Sequence, residues 1–433
     1  MNESRSQMHT DRATLEEIVL DLQDQVARLR QERRRAGHGQ TWLVTLACCG
    51  TLLWSLASGP VGVQPGDASP FVLSPDGTTY VLSGFNLQIV NGSGRTDGPI
   101  NGRGNLIVGY NEPAPRKENI RTGSHNLVVG PEHEYSSYGG LVAGFRNTIS
   151  GVYASVSGGW VNTASGEVTS VSGGQRNTAS GDRSSVSGGR ANTASGWIAS
   201  ISGGAENTAS GEVTSVSGGL KNTASGLTTS VSGGEANTAS GVRTSVSGGA
   251  ENIASGIITS VSGGGGNTAS GDLASVSGGG RNTASGLGTS VSGGAFNTAS
   301  GLIASVSGGG KNTASGGLAS VSGGILNTAS GALASVSGGE ANTASGRLAS
   351  ISGGRQNTAR GENASISGGI LNTASGFTAS VSGGSGNTAS GSRASVSGGR
   401  WNTASGPFTS VSGGFFLFQS FIHGWSGGAF STP

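Results

Sequence analysis

Few residues in this chain are of types that could support catalysis or metal binding. The chain has five histidines: His9, His38, His125, His133 and His423. Only His133 has possible metal ligands beside it, Glu132 and Glu134, and no second cluster with ligand spacing accompanies them. Histidine is absent from residues 147–416, so no Ser/His/Asp arrangement can be built there. We therefore interpret His133 as part of a solvated loop and predict a protein that is not an enzyme, with no catalytic residue, metal or cofactor.

Other motifs for ligand binding are also missing from the sequence. The glycine-rich SVSGGGG at 260–266 is not followed by the Gly-Lys-Ser/Thr of a phosphate-binding loop. The recurring SGG lacks the aspartate of calcium-binding coils. Cleavage of glycosidic bonds requires a pair of carboxylates, and no such pair recurs in the repeats. The net charge of +2 gives no electrostatic signature of a nucleic-acid partner.

The composition argues against ordinary globular domains. Glycine supplies 83 of the 433 residues, and only 11% are charged, whereas charged residues make up about 25% of a typical domain. Disordered segments are usually rich in charge and aperiodic, but this sequence is strictly periodic. The adjacent Cys48 and Cys49 lie in an apolar run and predict no disulfide framework.

A fifteen-residue repeat dominates the chain. Its unit reads NTASG-xxx-SVSGG-xx, and the opening asparagine occurs eighteen times, from Asn147 to Asn402, without an insertion or deletion. Loops of globular proteins tolerate changes in length. Eighteen units of constant length therefore indicate that each unit stacks in register on its neighbours, as in a solenoid. With one strand spacing of about 4.8 Å per unit, these units predict a rod of roughly 86 Å.

Differences between the copies indicate which side chains face inward. The valine of SVSGG changes only to isoleucine, as expected in an apolar interior. The fourth residue of NTASG is once Arg360, whose burial without a partner would be costly. By the two-residue alternation of a strand, threonine then faces outward and alanine inward. Two observations favour the opposite orientation. Ile253 occupies a threonine position, and Leu106, Leu127 and Leu141 also occupy one if their pentads align with NTASG. The candidate core residues are Val156, Ala164, Val171 and Ala179.

The outward side chains predict a ladder of hydroxyl groups along the rod. Its first members are Thr163, Ser165, Thr178, Ser180, Thr193 and Ser195. Such an array favours a binding surface over a catalytic pocket, and one alternative function is ice binding through the Thr-x-Ser ladders. A solenoid that acts on polysaccharides is less favoured, because paired carboxylates do not recur.

The N-terminal residues have two helical patterns. Residues 13–30 place Leu15, Val19, Leu22, Val26 and Leu29 at the alternating spacing of a short coiled coil. Residues 41–57 are uncharged, follow a cluster of arginines and are just long enough to span a bilayer. The positive-inside rule then predicts a cytoplasmic N-terminus, with the repeats held outside the cytoplasm, at the cell surface, by an uncleaved signal anchor. Cleavage as a signal peptide after Ala57 is the alternative.

These patterns divide the chain into six parts. Residues 1–40 are predicted to form a cytoplasmic helix with a short coiled coil, and residues 41–57 a transmembrane helix. Residues 58–104 form a linker with short β segments, including a turn at Pro75-Asp76-Gly77. Residues 105–146 form irregular capping coils, and residues 147–416 the regular repeats. The aromatic tail, 417–433, covers the open last coil, or alternatively binds a partner.

The repeat resembles the head of the trimeric autotransporter adhesins of the YadA type. The resemblance lies in the strand Ser155-Val156-Ser157-Gly158-Gly159 with its copies, and in Asn126-Leu127-Val128-Val129-Gly130, and it covers about 105–416. It implies a left-handed parallel β-roll and an adhesive role. The chain departs from that family at its C-terminus, since the residues after 416 are too few for a translocator barrel.

The expected fold class is therefore all-β: a parallel β-solenoid of fifteen-residue coils preceded by a coiled-coil helix and one transmembrane helix. The expected function is that of a membrane-anchored, surface-exposed, adhesin-like rod with an unidentified surface ligand. The expected partners are the membrane, through 41–57, and further copies of the chain. One valine and one alanine per coil make a thin core, which favours a parallel homo-oligomer. The resemblance points to a trimer, whereas the Leu15–Leu29 seam prefers a dimer. The eighteen coils outnumber the two and a half heptads of the seam, so we favour the trimer, with a monomeric roll as the alternative.

Overall fold

The computed structural model describes residues 71–115 and 119–428, which belong to two compact units divided after Asn86. In the first unit, strand Phe71–Leu73 pairs with strand Tyr80–Leu82 as an antiparallel hairpin. Asp76 organises the intervening turn by accepting hydrogen bonds from the hydroxyls of Ser74 (2.5 Å) and Thr78 (2.8 Å). These bonds favour the carboxylate and lower the pKa of Asp76 to about 2. The predicted turn lies here.

The second unit is a parallel β-solenoid with two sheets. The Ser-Val sheet has 22 strands: Leu106–Val108, Leu127–Val129, Leu141–Ala143, then Ser155–Val156 and its equivalents every 15 residues to Ser410–Val411, and finally Trp425–Ser426. The Thr-Ala sheet has 20 strands: Glu134–Tyr135, Thr148–Ile149, then Thr163–Ala164 and its equivalents every 15 residues to Thr403–Ala404, with Ile253–Ala254 among them, and finally Phe418–Gln419. Isoleucine replaces valine in Ser200–Ile201, Ser350–Ile351 and Ser365–Ile366.

Each strand pairs with the same residues of the coils before and after it. Ser170, for example, lies between Ser155 and Ser185, and Thr178 between Thr163 and Thr193. Equivalent residues therefore stack on one another, and in the regular coils most of the stacked strand residues are identical. At about 4.8 Å per strand, the 22 strands of the Ser-Val sheet extend over roughly 100 Å.

We number the positions of one coil from 1 to 15, so that residues 162–176 are positions 1–15. Positions 2 and 3 form the Thr-Ala strand and positions 9 and 10 the Ser-Val strand. Backbone hydrogen bonds join successive coils at the turns as well as at the strands. The amide of Thr163 donates to Asn177 in the next coil (2.8 Å), and that of Val168 donates to Val152 in the preceding coil (2.8 Å). The turns are therefore as ordered as the strands, which explains why none varies in length.

The interior is formed by positions 1, 3, 8 and 10. In the coil 162–176 these are Asn162, Ala164, Thr169 and Val171, all at most 1% exposed. Position 5 is glycine in every regular coil, because a Cβ there would collide with the backbone of the next coil; for Gly316 the collision is with Gly331. Small side chains and close coils leave no room for a larger core, so hydrogen bonds carry much of the cohesion.

The structure corrects the predicted fold class to an all-β parallel β-solenoid. Within 71–115 and 119–428 there is no helix, and no helix in this part of the chain is long and apolar enough to cross a membrane. The coiled coil predicted at 13–30 and the transmembrane helix predicted at 41–57 lie outside the described residues. The fold of the described residues requires neither helix.

The register of the irregular coils is a second correction. Leu141 pairs with Ser155 and Val142 with Val156, and Leu127 in turn pairs with Leu141. The three leucine pentads therefore continue the Ser-Val sheet and do not align with the threonine of NTASG. The reason is length, since Leu127, Leu141 and Ser155 are separated by 14 residues rather than 15. The leucines consequently say nothing about which way the threonines face.

Candidate functional surface

The predicted hydroxyl ladder lies on the outer face of the Thr-Ala sheet. Thr163, Thr178 and Thr193 are half-buried, and Ser165 is also half-buried. Ser180 and Ser195 are exposed. The in-register pairing of the strands places one threonine directly above the next, at the strand spacing of about 4.8 Å.

A second hydroxyl ladder, which the sequence reasoning did not single out, lies on the Ser-Val sheet. Position 9 is a half-buried serine and position 11 an exposed serine, as at Ser170 and Ser172. Within the described ladders, the one direct hydroxyl–hydroxyl bond between coils joins Ser395 to Ser410 (3.2 Å). Most ladder hydroxyls therefore keep their hydrogen-bonding capacity for water or for a ligand.

The candidate core residues lie on the inside of both sheets. Val156, Ala164, Val171 and Ala179 are each 0% exposed. Alanine and valine alternate with the outward hydroxyl residues, so a ligand on either face of the regular coils would meet a row of hydroxyl oxygens. Both sheets thus present a largely polar and regular surface in the regular coils.

An asparagine ladder holds the coils together, and the sequence reasoning missed it. The position 1 asparagines from Asn147 to Asn402 are all 0% exposed. In a typical coil, the side-chain oxygen of Asn297 accepts from the backbone amide of Asn312 in the next coil (2.9 Å). Its side-chain nitrogen donates to the backbone oxygens of Gly293 (2.9 Å) and Gly309 (3.0 Å). The detectable signal was that this asparagine does not change in any of the eighteen copies.

His133 occupies the asparagine position in the coil before Asn147. It is 0% exposed, so its interpretation as a solvated loop residue was wrong. Its Nδ1 accepts from the backbone amide of Asn147 (3.2 Å), and its Nε2 lies 2.9 Å from the carbonyl oxygen of Val129. Burial lowers the pKa of His133, and the charge of Arg121 acts in the same direction. Both ring nitrogens have protein partners, which leaves none to bind a metal in this arrangement.

A shallow cleft of about 520 Å³ lies beside these first coils. Asn119, Glu132, Arg146 and Thr148 contribute to its walls. The guanidinium of Arg146 donates to a carboxylate oxygen of Glu132 (2.6 Å), and Glu134 contributes a second carboxylate to the walls. Among the described residues, no group of three or more His, Cys, Asp or Glu side chains is placed to hold a metal ion.

The aromatic tail continues the solenoid for one further coil. Leu417 takes the asparagine position, and its amide donates to the side-chain oxygen of Asn402 (2.9 Å). Phe418 and Trp425 take outward strand positions and are 66% and 67% exposed. The backbone of this coil covers the preceding core, since Val411 is 0% exposed. The large aromatic side chains themselves lie on the outside.

Comparison with known proteins adds no assignment. No protein family and no curated protein matches this chain.

Proposed function

We propose that this chain is a non-catalytic, adhesin-like rod whose hydroxyl ladders mediate attachment to a surface. The observation that carries the proposal is the in-register stacking of equivalent outward residues: threonine from Thr148 to Thr403 except at Ile253, and serine from Ser155 to Ser410. Each hydroxyl contributes little alone, but one period repeated along about 82 Å allows many weak contacts to act together. The resemblance to YadA-type heads supports the same role and, with it, display outside the cytoplasm.

The rigidity of the ladder supports this role. The backbone hydrogen bonds between coils and the buried asparagines fix the spacing of the outward oxygens before any ligand arrives. A pre-organised array loses little conformational entropy when it binds. Extended surfaces such as glycans or hydrated solids, which present many hydroxyl groups, are therefore the favoured ligand class.

The test is an attachment assay on beads coated with the full chain. Beads are passed under flow over immobilised glycans, matrix proteins and a hydrophilic mineral. The triple variant Thr298→Val, Thr313→Val, Thr328→Val removes three ladder hydroxyls while nearly keeping the side-chain shape. We expect beads carrying the unmodified chain to attach to at least one surface, and the variant to be retained at least tenfold less.

The matched control removes three hydroxyls from the other sheet, through Ser305→Ala, Ser320→Ala and Ser335→Ala. These positions are half-buried, as the threonines are. Retention of the control at the unmodified level would place attachment on the Thr-Ala face. The absence of attachment to every surface would contradict the proposal.

Ice binding is the second candidate, favoured by the threonine ladder itself. Threonine occupies the outward strand position in every coil from Thr148 to Thr403 except at Ile253. Threonine and the serine two residues later form a two-dimensional array of oxygens, spaced about 4.8 Å along the rod and about 6.6 Å across it. A thermal-hysteresis measurement on the full chain decides this candidate. If the unmodified chain shows thermal hysteresis and the triple threonine variant does not, the function is ice binding rather than adhesion.

A further inference from the structure

The two turns of each coil form two edges of the solenoid, and their compositions differ sharply. The leucine edge comprises positions 6 and 7 in eleven successive coils, from residues 197–198 in the first of them to residues 347–348 in the last. The polar edge comprises positions 14 and 15 in the same eleven coils, from residues 205–206 in the first to residues 355–356 in the last. Of the 22 residues on the leucine edge, 14 are Trp, Val, Leu or Ile and four are charged. On the polar edge, four are large and apolar and eight are charged.

The apolar residues of the leucine edge face solvent in every coil. Twelve of the 14 are between 37% and 55% exposed. They are Ile198, Val213, Leu227, Val242, Ile257, Ile258, Leu273, Leu287, Ile303, Leu318, Leu333 and Leu348. Single exposed apolar residues are common on soluble proteins, but a continuous stripe is not. The stripe extends over ten coil spacings, or roughly 48 Å.

The backbone provides a second, independent observation. Position 7 has a left-handed conformation in every coil, with φ of 54° at Ile198, 54° at Val213 and 52° at Ile303. Branched side chains are sterically disfavoured in this region, whereas glycine and asparagine adopt it readily. The chain itself shows the alternatives, since Gly288 (φ 66°) and Asn363 (φ 57°) hold the same position.

The polar edge shows that such residues are not imposed by the fold. Position 15 is also left-handed, as at Glu206 (φ 59°) and Lys311 (φ 55°), yet none of its eleven residues is β-branched. On the leucine edge the chain retains side chains that are unfavourable both for the backbone and for contact with water. A local conflict of this kind points to a function, here to a surface that becomes covered.

From these two observations, we propose that the leucine edge is the interface on which a second copy of this chain packs side by side. The twelve exposed side chains present on the order of 800 Å² of surface, the amount that each partner of a standard interface buries. A partner that contacts every coil must repeat at the same interval of about 4.8 Å. A second copy of the chain meets that condition along the whole stripe.

The test compares edge variants of the full chain by sedimentation equilibrium between 1 and 100 μM. The triple variant Ile258→Asn, Ile303→Asn, Leu318→Asn places asparagine where Asn363 already adopts this conformation, so the solenoid is expected to keep its β circular dichroism. Leu318→Asp, tested alone, adds charge repulsion between two copies. We expect the unmodified chain to self-associate, and the triple variant to raise the dissociation constant at least 100-fold.

The control places asparagine at two left-handed positions of the polar edge, Phe296→Asn and Leu326→Asn. It is expected to change the dissociation constant by less than threefold. An unmodified chain that is monomeric over the whole concentration range overturns the proposal, as does equal association of the edge variants. Flotation with phosphatidylcholine vesicles tests the alternative that the leucine edge binds lipid. A monomer that floats with vesicles, and ceases to float in the triple variant, would assign the edge to a lipid surface instead.

Discussion

Replacing Asn297 by alanine removes three hydrogen bonds from the interior of one coil. The backbone amide of Asn312 loses its acceptor and stays buried, because Asn312 is itself 0% exposed. The carbonyl oxygen of Gly293 loses the side-chain donor, whereas that of Gly309 keeps a backbone bond (2.9 Å). A buried donor without a partner costs about 1–3 kcal/mol, and each further lost bond about 1 kcal/mol. We therefore expect a local loss of at least about 3 kcal/mol.

Hydrogen exchange measured by mass spectrometry suits this prediction, because a solenoid can open locally without unfolding as a whole. A loss of about 3 kcal/mol corresponds to roughly 100-fold faster exchange in the substituted coil and its two neighbours. The control is Gln356→Ala, an exposed position 15 residue, for which we expect a change within about 0.5 kcal/mol. If exchange around Asn297→Ala accelerates less than threefold, the asparagine ladder does not stabilise the solenoid as argued.

Three further predictions test individual features of the coil. Gly309→Ala should destabilise strongly, because Gly309 has a φ of +84° and its Cβ would collide with the next coil, whereas Gly308→Ala meets open space and should be tolerated in thermal unfolding. In exchange experiments, Thr169→Ala should lower the stability of its coil by about 1 kcal/mol more than Thr244→Ala lowers that of its own coil. The reason is that the hydroxyl of Thr169 has a hydrogen bond, whereas that of Thr244 is buried without one. Equal losses of stability would show that this bond contributes nothing. Exchange protection of the first coils should fall below pH 6.5, since burial lowers the pKa of His133 and the unfolded chain binds the proton more readily; in His133→Asn the pH dependence should disappear.

The repeat was sufficient to predict the solenoid, because eighteen copies in one chain act as their own comparison. Valine varying only to isoleucine indicates an apolar and confined site, and the structure buries Val156 completely. A single charged variant, Arg360, marks an outward position, and Arg360 is exposed in the structure. Substitutions within the repeat therefore revealed the direction of the side chains that change.

The asparagine interior was not predicted, because polarity ordinarily indicates exposure. The side chain of Asn162 is buried only because its amide satisfies backbone groups of its own and adjacent coils. The left-handed turns were not predicted either, because glycine or asparagine is preferred at such positions and the chain has residues such as Ile258 there. Both features depend on the stacking of coils, which local sequence preferences do not describe.

The central claim is that alanine and asparagine face into the solenoid and threonine faces out. A pair of adjacent substitutions, Ala239→Glu and Thr238→Glu, tests it in thermal unfolding of the full chain followed by circular dichroism. Ala239 is 0% exposed, so the glutamate would be buried without a partner and cost about 3 kcal/mol or more. Thr238 is half-buried on the outer face, where the glutamate reaches water, and we expect a change below about 1 kcal/mol. Equal destabilisation by both substitutions, or greater damage from Thr238→Glu, would contradict the account.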